Sequence, residues 1–240
     1  MFNRKEIKEK AKQVFQSNYW PCVLVSFIIT AIAGVYSFTY SMRSSSSQVS
    51  YLTTLNEGPD VIHEAVSFSL PIIILTGLVS LVLVYLVILP IKQGCHRFFL
   101  VNTEAKASVN EVGYAFKTNY GNIVLTSLLV EVYTFLWTLL FFIPGIIKSY
   151  SYMLVPYILA EDPNISPNEA VTKSRQMMDG NKMDAFILDL SFIGWAILAV
   201  ITCGIVGIFF TDPYILQTKA EMYQAIKTAK QTAQNTAPAQ

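Results

Sequence analysis

Apolar and polar positions along this chain fall into long blocks. Pro21 to Tyr40 carries no charge, and neither do the 27 residues from Ala65 to Ile91. Ile123 to Ala160 runs for 38 residues, interrupted only by Glu131 and Lys148. Ala185 to Leu216 is a fourth apolar block, holding Asp189 and Asp212. A helix crosses the hydrocarbon of a bilayer with about 20 apolar residues. The first two blocks each suit one span, the second with tilt. The last two are too long for one. Pro144-Gly145 divides the third and Thr202-Cys203-Gly204 the fourth. Proline cannot continue the helical hydrogen-bond ladder, and glycine is a common helix stop. The pattern predicts an all-α membrane protein of six apolar helices paired as three hairpins.

The polar segments between the blocks repeat as well. Asn3, Ser108 and Ser166 each stand three residues before a glutamate, at Glu6, Glu111 and Glu169. That spacing marks a capped helix start, and Pro167 sits where a first-turn proline is tolerated. Behind the caps come Ile7, Ala11, Val14 and Phe15, then Val112, Ala115 and Phe116, then Ala170, Ser174, Met177 and Met178. These offsets put one apolar stripe on each helix, with Ser174 the polar exception. Asn18-Tyr19, Asn119-Tyr120 and Asn181-Lys182 close the stretches, and Pro90, Pro156 and Pro213 end the return helices. The repeating unit is a capped amphipathic helix, an apolar hairpin and a proline exit. Its copies cover about 1–100, 105–160 and 166–222 of a single membrane domain, 1–225. The first copy carries a polar loop at 41–65, and the Ala/Gln/Thr-rich tail at 226–240 reads as disordered.

Composition sharpens this picture. Of 240 residues, 53% are apolar and 14% charged, with mean hydropathy +0.45. Ordinary soluble domains carry about 25% charged residues. The net charge of +1 gives no basic excess for nucleic acid. Three cysteines without a C-x-x-C spacing suggest neither disulfides nor zinc. Positive charge is sorted by side. Segments 1–19, 92–121, 161–184 and 211–240 hold fifteen Lys or Arg, against Arg43 and Lys148 on the other side. A four-span arrangement would give only 12 to 5. This bias predicts a cell-membrane protein with both termini cytoplasmic. The fourth and sixth helices, about 146–160 and 205–216, reach only about 23 and 18 Å at 1.5 Å per residue. They either extend into polar flanks or belong to re-entrant hairpins. Ala31-Ile32-Ala33 could imitate a leader cleavage site, but the 19-residue charged helix before it argues for an intact anchor. Lys8, Lys10 and Lys12 would meet the anionic inner leaflet of the bilayer. The alternative for these helices is a platform for a cytosolic protein partner.

Several stretches carry a family resemblance. They are Asn3-Arg4-Lys5-Glu6-Ile7-Lys8 with Ala11-Lys12, Asn18-Tyr19-Trp20, and Phe142-Ile143-Pro144-Gly145-Ile146-Ile147. Tyr157 to Glu161, Glu169-Ala170 to Ser174, Met177 to Gly180, Leu190 to Trp195 and Pro213-Tyr214 complete the set. Over about 1–225, without the 41–65 loop, the chain resembles the bacterial membrane family called domain of unknown function 975. The resemblance implies a polytopic plasma-membrane protein, mostly of Gram-positive bacteria. It implies no activity, cofactor or functional residue.

Catalytic motifs are scarce. His63-Glu64 lacks the second histidine of a zinc protease, and there is no P-loop, G-x-G-x-x-G or G-x-S-x-G. His63 and His96 fall on opposite sides, so no metal site or cofactor is expected. The candidates are polar residues inside apolar blocks: Glu131, Asp189, Asp212 and Lys148. A charge at the bilayer centre costs about 2.5–3.5 kcal/mol or more, so such residues face a bundle interior or a water-filled path. Glu131 could be a proton or cation site, or an acid tying helices together beside Tyr133 or Thr134. Asp189 and Asp212 could snorkel to the inner interface, and Lys148 could reach the outer headgroups or pair with Glu131. Tyr150, Tyr152, Tyr157, Tyr214 and the tryptophans read as interfacial anchors. The leading expectation is a non-enzymatic structural, accessory or regulatory membrane component. The alternative is a small transporter or channel with Glu131 lining its path, and a lipid-active enzyme is a weaker third.

Overall fold

Asn3 opens the first helix, α1 (Arg4–Ser17), by accepting from the Lys5 N–H at 3.2 Å. The chain turns through 103° at Asn18 into α2, Tyr19–Ile32. The computed structural model describes residues 2–32, 72, 74–77, 79, 82 and 84–236, so the 41–65 loop and the tip of the first hairpin lie outside the described residues. The return begins with a π-helical turn, Val84–Ile88, and continues as α3, Leu89–Val101.

The next helical stretch starts at Ser108, whose hydroxyl accepts from the Asn110 N–H. Its pre-helix is a 3₁₀ turn, Val109–Gly113, followed by the short α4, Tyr114–Lys117. Then come α5 (Tyr120–Leu140), α6 (Phe142–Tyr152) and α7 (Val155–Glu161). Ser166 caps α8 (Pro167–Met178) by accepting from the Glu169 N–H. The chain continues with α9 (Lys182–Leu190), α10 (Ile193–Ile201), a π turn (Gly207–Thr211) and α11, Asp212–Thr236. All regular structure among the described residues is helical.

Six apolar helices are not what the described residues present. Two segments, Tyr120–Leu140 and Lys182–Ile201, are long and apolar enough to cross a membrane, and a third counts only if α1 and α2 are taken as one bent span. The return limbs of the second and third hairpins are too short. α6 has 11 residues, and the limb after Gly204 runs into Asp212 within two turns.

The breaks also fall differently. Between α5 and α6 the turn is Phe141, with φ −154° and ψ 134°, while Pro144 and Gly145 lie inside α6. Proline is accepted there because the first helical turn has no N–H partner to lose. Gly145 is needed for contact rather than for turning. A Cβ there would lie 2.5 Å from Thr138 Oγ1 and 2.7 Å from Thr138 Cα, so α6 rides directly on the α5 backbone. The fourth block breaks where its sequence says, with Cys203 at φ 52° and Gly204 at φ 87°.

Pro90, Pro156 and Pro213 are not helix ends. Each stands second in a helix that continues, as α3, α7 and α11. The irregularity lies in the turn before each proline: a π turn before Pro90 and Pro213, and the Met153-Leu154 turn before Pro156. The missing N–H and the bulk of the ring disturb the preceding turn, and the wider π turn is one way to absorb them. The tail is also ordered further than its composition suggests. α11 reaches Thr236 and buries Tyr223 and Ile226.

Most of the first and third of these predicted stripes is buried within the protein. Ile7, Ala11 and Phe15 pack where α1 lies along α11. Ala170, Ser174, Met177 and Met178 are buried where α8 meets α5, α6 and α7. In the short second copy Ala115 is buried but Phe116 is exposed. Lys8 donates to Ser191 Oγ at 3.2 Å and Lys10 pairs with Glu221 at 2.7 Å, while Lys12 has no such partner among the described residues. Around α3, α7 and α11 these helices form a packed base. The hairpins leave it carrying exposed Phe135, Leu139, Ile143, Ile197, Val200 and Ile205.

Candidate functional site

Polar residues concentrate where the hairpins meet the base. Asn102, the C-cap of α3, is the hub of one network. Its Nδ2 donates to Gln217 Oε1 at 2.9 Å and to Cys22 Sγ at 3.4 Å. Its Oδ1 accepts from Asn18 Nδ2 at 2.8 Å and from the Ala107 N–H at 3.2 Å. One buried amide thus joins the α1–α2 corner, the end of α3 and the second turn of α11. Nothing in the sequence singles out Asn102 or Gln217, because the side-chain partners Cys22 and Gln217 lie 80 and 115 residues from Asn102. One turn along α11, Glu221 holds Lys10 through Oε2. Its burial raises the carboxyl pKa, with Lys10 and Gln217 opposing.

A second cluster lies between α3, α7 and α11. The Tyr157 and Tyr223 rings stack with centroids 5.5 Å apart, and His96 stands edge-on to Tyr157 at 5.3 Å. Both phenol hydroxyls and His96 Nδ1 are buried without a hydrogen-bond partner among the described residues. Burial holds the His96 imidazole below its ordinary range, with Lys92 and Lys219 adding to the effect. Burial, with Glu161 nearby, pushes Tyr223 up. Glu161 itself is engaged by Lys227 Nζ at 2.8 Å. Tyr152, Tyr157 and Tyr214 are therefore core residues at 5%, 1% and 6% exposure, not interfacial anchors. Trp20 is the tryptophan that stands well out, at 71%.

The four candidates from the apolar blocks do not converge. Asp189 accepts from the Tyr150 hydroxyl at 3.1 Å and pairs with Lys219 at 3.4 Å, tying α9 to α6 and α11. Asp212 accepts from Thr30 Oγ1 at 2.8 Å, tying α11 to α2. Both serve as helix ties. Glu131 is exposed on α5 and has no hydrogen bond or ion pair among the described residues. Thr134 donates back to Val130 and Tyr133 faces Tyr152, so neither is a companion to Glu131. Lys148 does not pair with Glu131. Its Nζ lies over the Trp137 ring, 4.5 Å from the centroid. No group of three or more His, Cys, Asp or Glu among the described residues could hold a metal ion. Cys22 and Cys95 are buried and Cys203 is exposed at its turn.

These features define an all-helical protein with two or three segments able to cross a membrane and no assembled catalytic constellation among the described residues. Residues 139–230, from the end of α5 to most of α11, match the model of the family described as "Protein of unknown function (DUF975)". The match to the family that the sequence resembles takes in the last two residues of α5 and runs from α6 into α11, and leaves the first 138 residues outside it. No curated protein and no solved structure matches the chain.

Proposed function

We propose that this chain is a non-enzymatic membrane component with a structural, accessory or regulatory role. Its packed base lies on the cytoplasmic side with both termini, and three apolar hairpins hold it in the bilayer. The observation that carries this reading is the sorting of side chains. Ion pairs and the buried core gather in the base, while the large exposed apolar side chains crowd the hairpins. Such a surface is satisfied by hydrocarbon and not by water.

The last two hairpins read best as re-entrant. From the Phe141 turn back to Lys148 is seven residues, or about 10 Å of helix, and from Glu131 to the same turn is ten, or about 15 Å. The hydrocarbon of one leaflet is about 15 Å thick, half of the usual 30 Å. On that placement Glu131 sits near the headgroups and escapes the cost of the bilayer centre. Its outward position favours this reading over a transport path.

Thiol labelling tests the arrangement. Cys203 is already exposed at its turn, and Phe141→Cys supplies the other tip. Gly145→Cys would clash with Thr138. An impermeant reagent applied to intact cells is expected to label neither tip, and to label Lys173→Cys only once the cells are opened. Labelling of Lys173→Cys from outside would overturn the orientation. A proton-dependent flux in proteoliposomes that Glu131→Gln abolishes would overturn the non-transport role.

A further inference from the structure

A proline has no N–H, so the carbonyl four residues before it loses its ordinary helical donor. Before Pro90 that carbonyl belongs to Leu86, and before Pro213 it belongs to Phe209. Each is the third residue of a five-residue π turn, Val84–Ile88 and Gly207–Thr211. Both receive a hydroxyl from a distant part of the chain. Tyr120 donates to the Leu86 carbonyl at 2.5 Å, and Tyr19 donates to the Phe209 carbonyl at 3.1 Å. The two tyrosines hold the same place in the sequence pattern, directly after Asn119 and Asn18, where a polar stretch passes into an apolar block. At Pro156 the helix breaks instead in the Met153-Leu154 turn. There the Ser151 carbonyl, five residues before the proline, accepts from Ser174 Oγ at 2.8 Å. Asn181 is followed by Lys182 and not by a tyrosine, and Ser174 is the polar exception in its apolar stripe.

The donors follow a cyclic order. In the repeat read from the sequence, Tyr120 of the second unit reaches the first, Ser174 of the third reaches the second, and Tyr19 of the first reaches the third. Helix packing follows the same order. The 3₁₀ turn and α4 lie on α3, α8 lies on α7, and α1 lies on α11. The last of these contacts joins the two ends of the chain. Lys10 pairs there with Glu221, the Tyr214 hydroxyl donates to the Lys8 carbonyl at 3.2 Å, and Thr30 donates to Asp212. A linear stack of three units would leave the stripe of α1 and the joint at Pro213 uncovered.

We infer that the chain closes into a ring of three related units, in which a hydroxyl of each unit latches the proline joint of the unit before it. The latches set the angle at which each apolar return limb meets the base. Without its hydroxyl a joint bends at the proline, as helices do where the ladder is interrupted. The cyclic order stands on the contacts alone. The penalty for opening a latch rests on the membrane reading above, because a carbonyl without a donor at the lipid boundary is costly.

Double-mutant cycles on the full chain in phosphatidylcholine nanodiscs test the latches. Tyr19→Phe removes the hydroxyl and keeps the ring that packs on Phe15. Pro213→Ala returns an N–H to the Phe209 carbonyl. Tyr19→Phe is expected to lower the folding equilibrium constant about tenfold in the wild type and much less in the Pro213→Ala background. Tyr120→Phe should behave in the same way with Pro90→Ala. The crossed pairs, Tyr19→Phe with Pro90→Ala and Tyr120→Phe with Pro213→Ala, should be additive. A second measurement needs no proline variant. The distance distribution between spin labels at Cys203 and Lys173→Cys should broaden in Tyr19→Phe and stay unchanged in Tyr120→Phe. Additivity of the matched pairs would overturn the latches, and coupling of the crossed pairs would overturn the ring order. An unchanged distance distribution in Tyr19→Phe would overturn the hinge at Pro213. The depth of the hairpins is read separately by the impermeant thiol reagent, so a failed latch and a failed membrane reading are told apart.

Discussion

Asn102 shows what a buried amide can be asked to do, since its two side-chain atoms contact four groups from three parts of the chain. Asn102→Leu would take the donor from buried Gln217 Oε1 and the acceptor from the Ala107 N–H, while Asn18 Nδ2 keeps the Ala107 carbonyl. It should cost about 2–4 kcal/mol, read from unfolding in detergent or discs. Glu131→Gln is the contrasting case. An exposed, unpartnered side chain should change stability by less than about 0.5 kcal/mol. His96 predicts a pH dependence. Its folded pKa lies below the unfolded value of about 6.5, so the unfolded chain binds the extra proton first. Stability from this group is present above pH ~6.5 and falls on acidification, by at most about 1.4 kcal/mol per pH unit. His96→Phe should flatten that limb of the stability–pH curve. At this scale the sequence is only half legible. Asn18 announces a joint by its place before an apolar block. The depth of Glu131 along α5 could be counted, but a count of residues does not tell which way a side chain faces.

Helix starts were readable because a cap is a local object. Asn3, Ser108 and Ser166 each accept a backbone N–H from the turn they open. The proline exits were misread because the ring acts on the turn behind it. Helices α3, α7 and α11 therefore begin around Pro90, Pro156 and Pro213 and carry the base onward. The amphipathic stripes could be seen as stripes, but what covers them could not. The cover is α11 for α1 and the second hairpin for α8, both remote in sequence. Close approach between elements gives a further prediction. A Cβ on Gly94 would sit 1.9 Å from the Val112 carbonyl oxygen, where α3 meets the 3₁₀ turn. Gly94→Ala must push these apart and should cost about 1–3 kcal/mol or more in the same unfolding measurement. Gly121→Ala, which meets nothing within 4 Å, should cost far less and serves as its control.

For the molecule as a whole, the apolar blocks foretold a helical membrane protein, and two or three segments meet that description. The blocks could not reveal that much of the same apolar sequence, from Leu154 to Ala160, builds the base instead. A run of apolar residues reads the same whether it faces lipid or a protein core. On the membrane reading proposed above, the hairpin tips lie in hydrocarbon while the base stays in water. Spin-label accessibility in liposomes tests it most directly, with one label at the native Cys203 and one at Lys173→Cys. The Cys203 label is expected to be relaxed strongly by dissolved oxygen and weakly by a water-soluble nickel chelate, with the reverse at position 173. A Cys203 label as open to the chelate as the one at position 173 would contradict it.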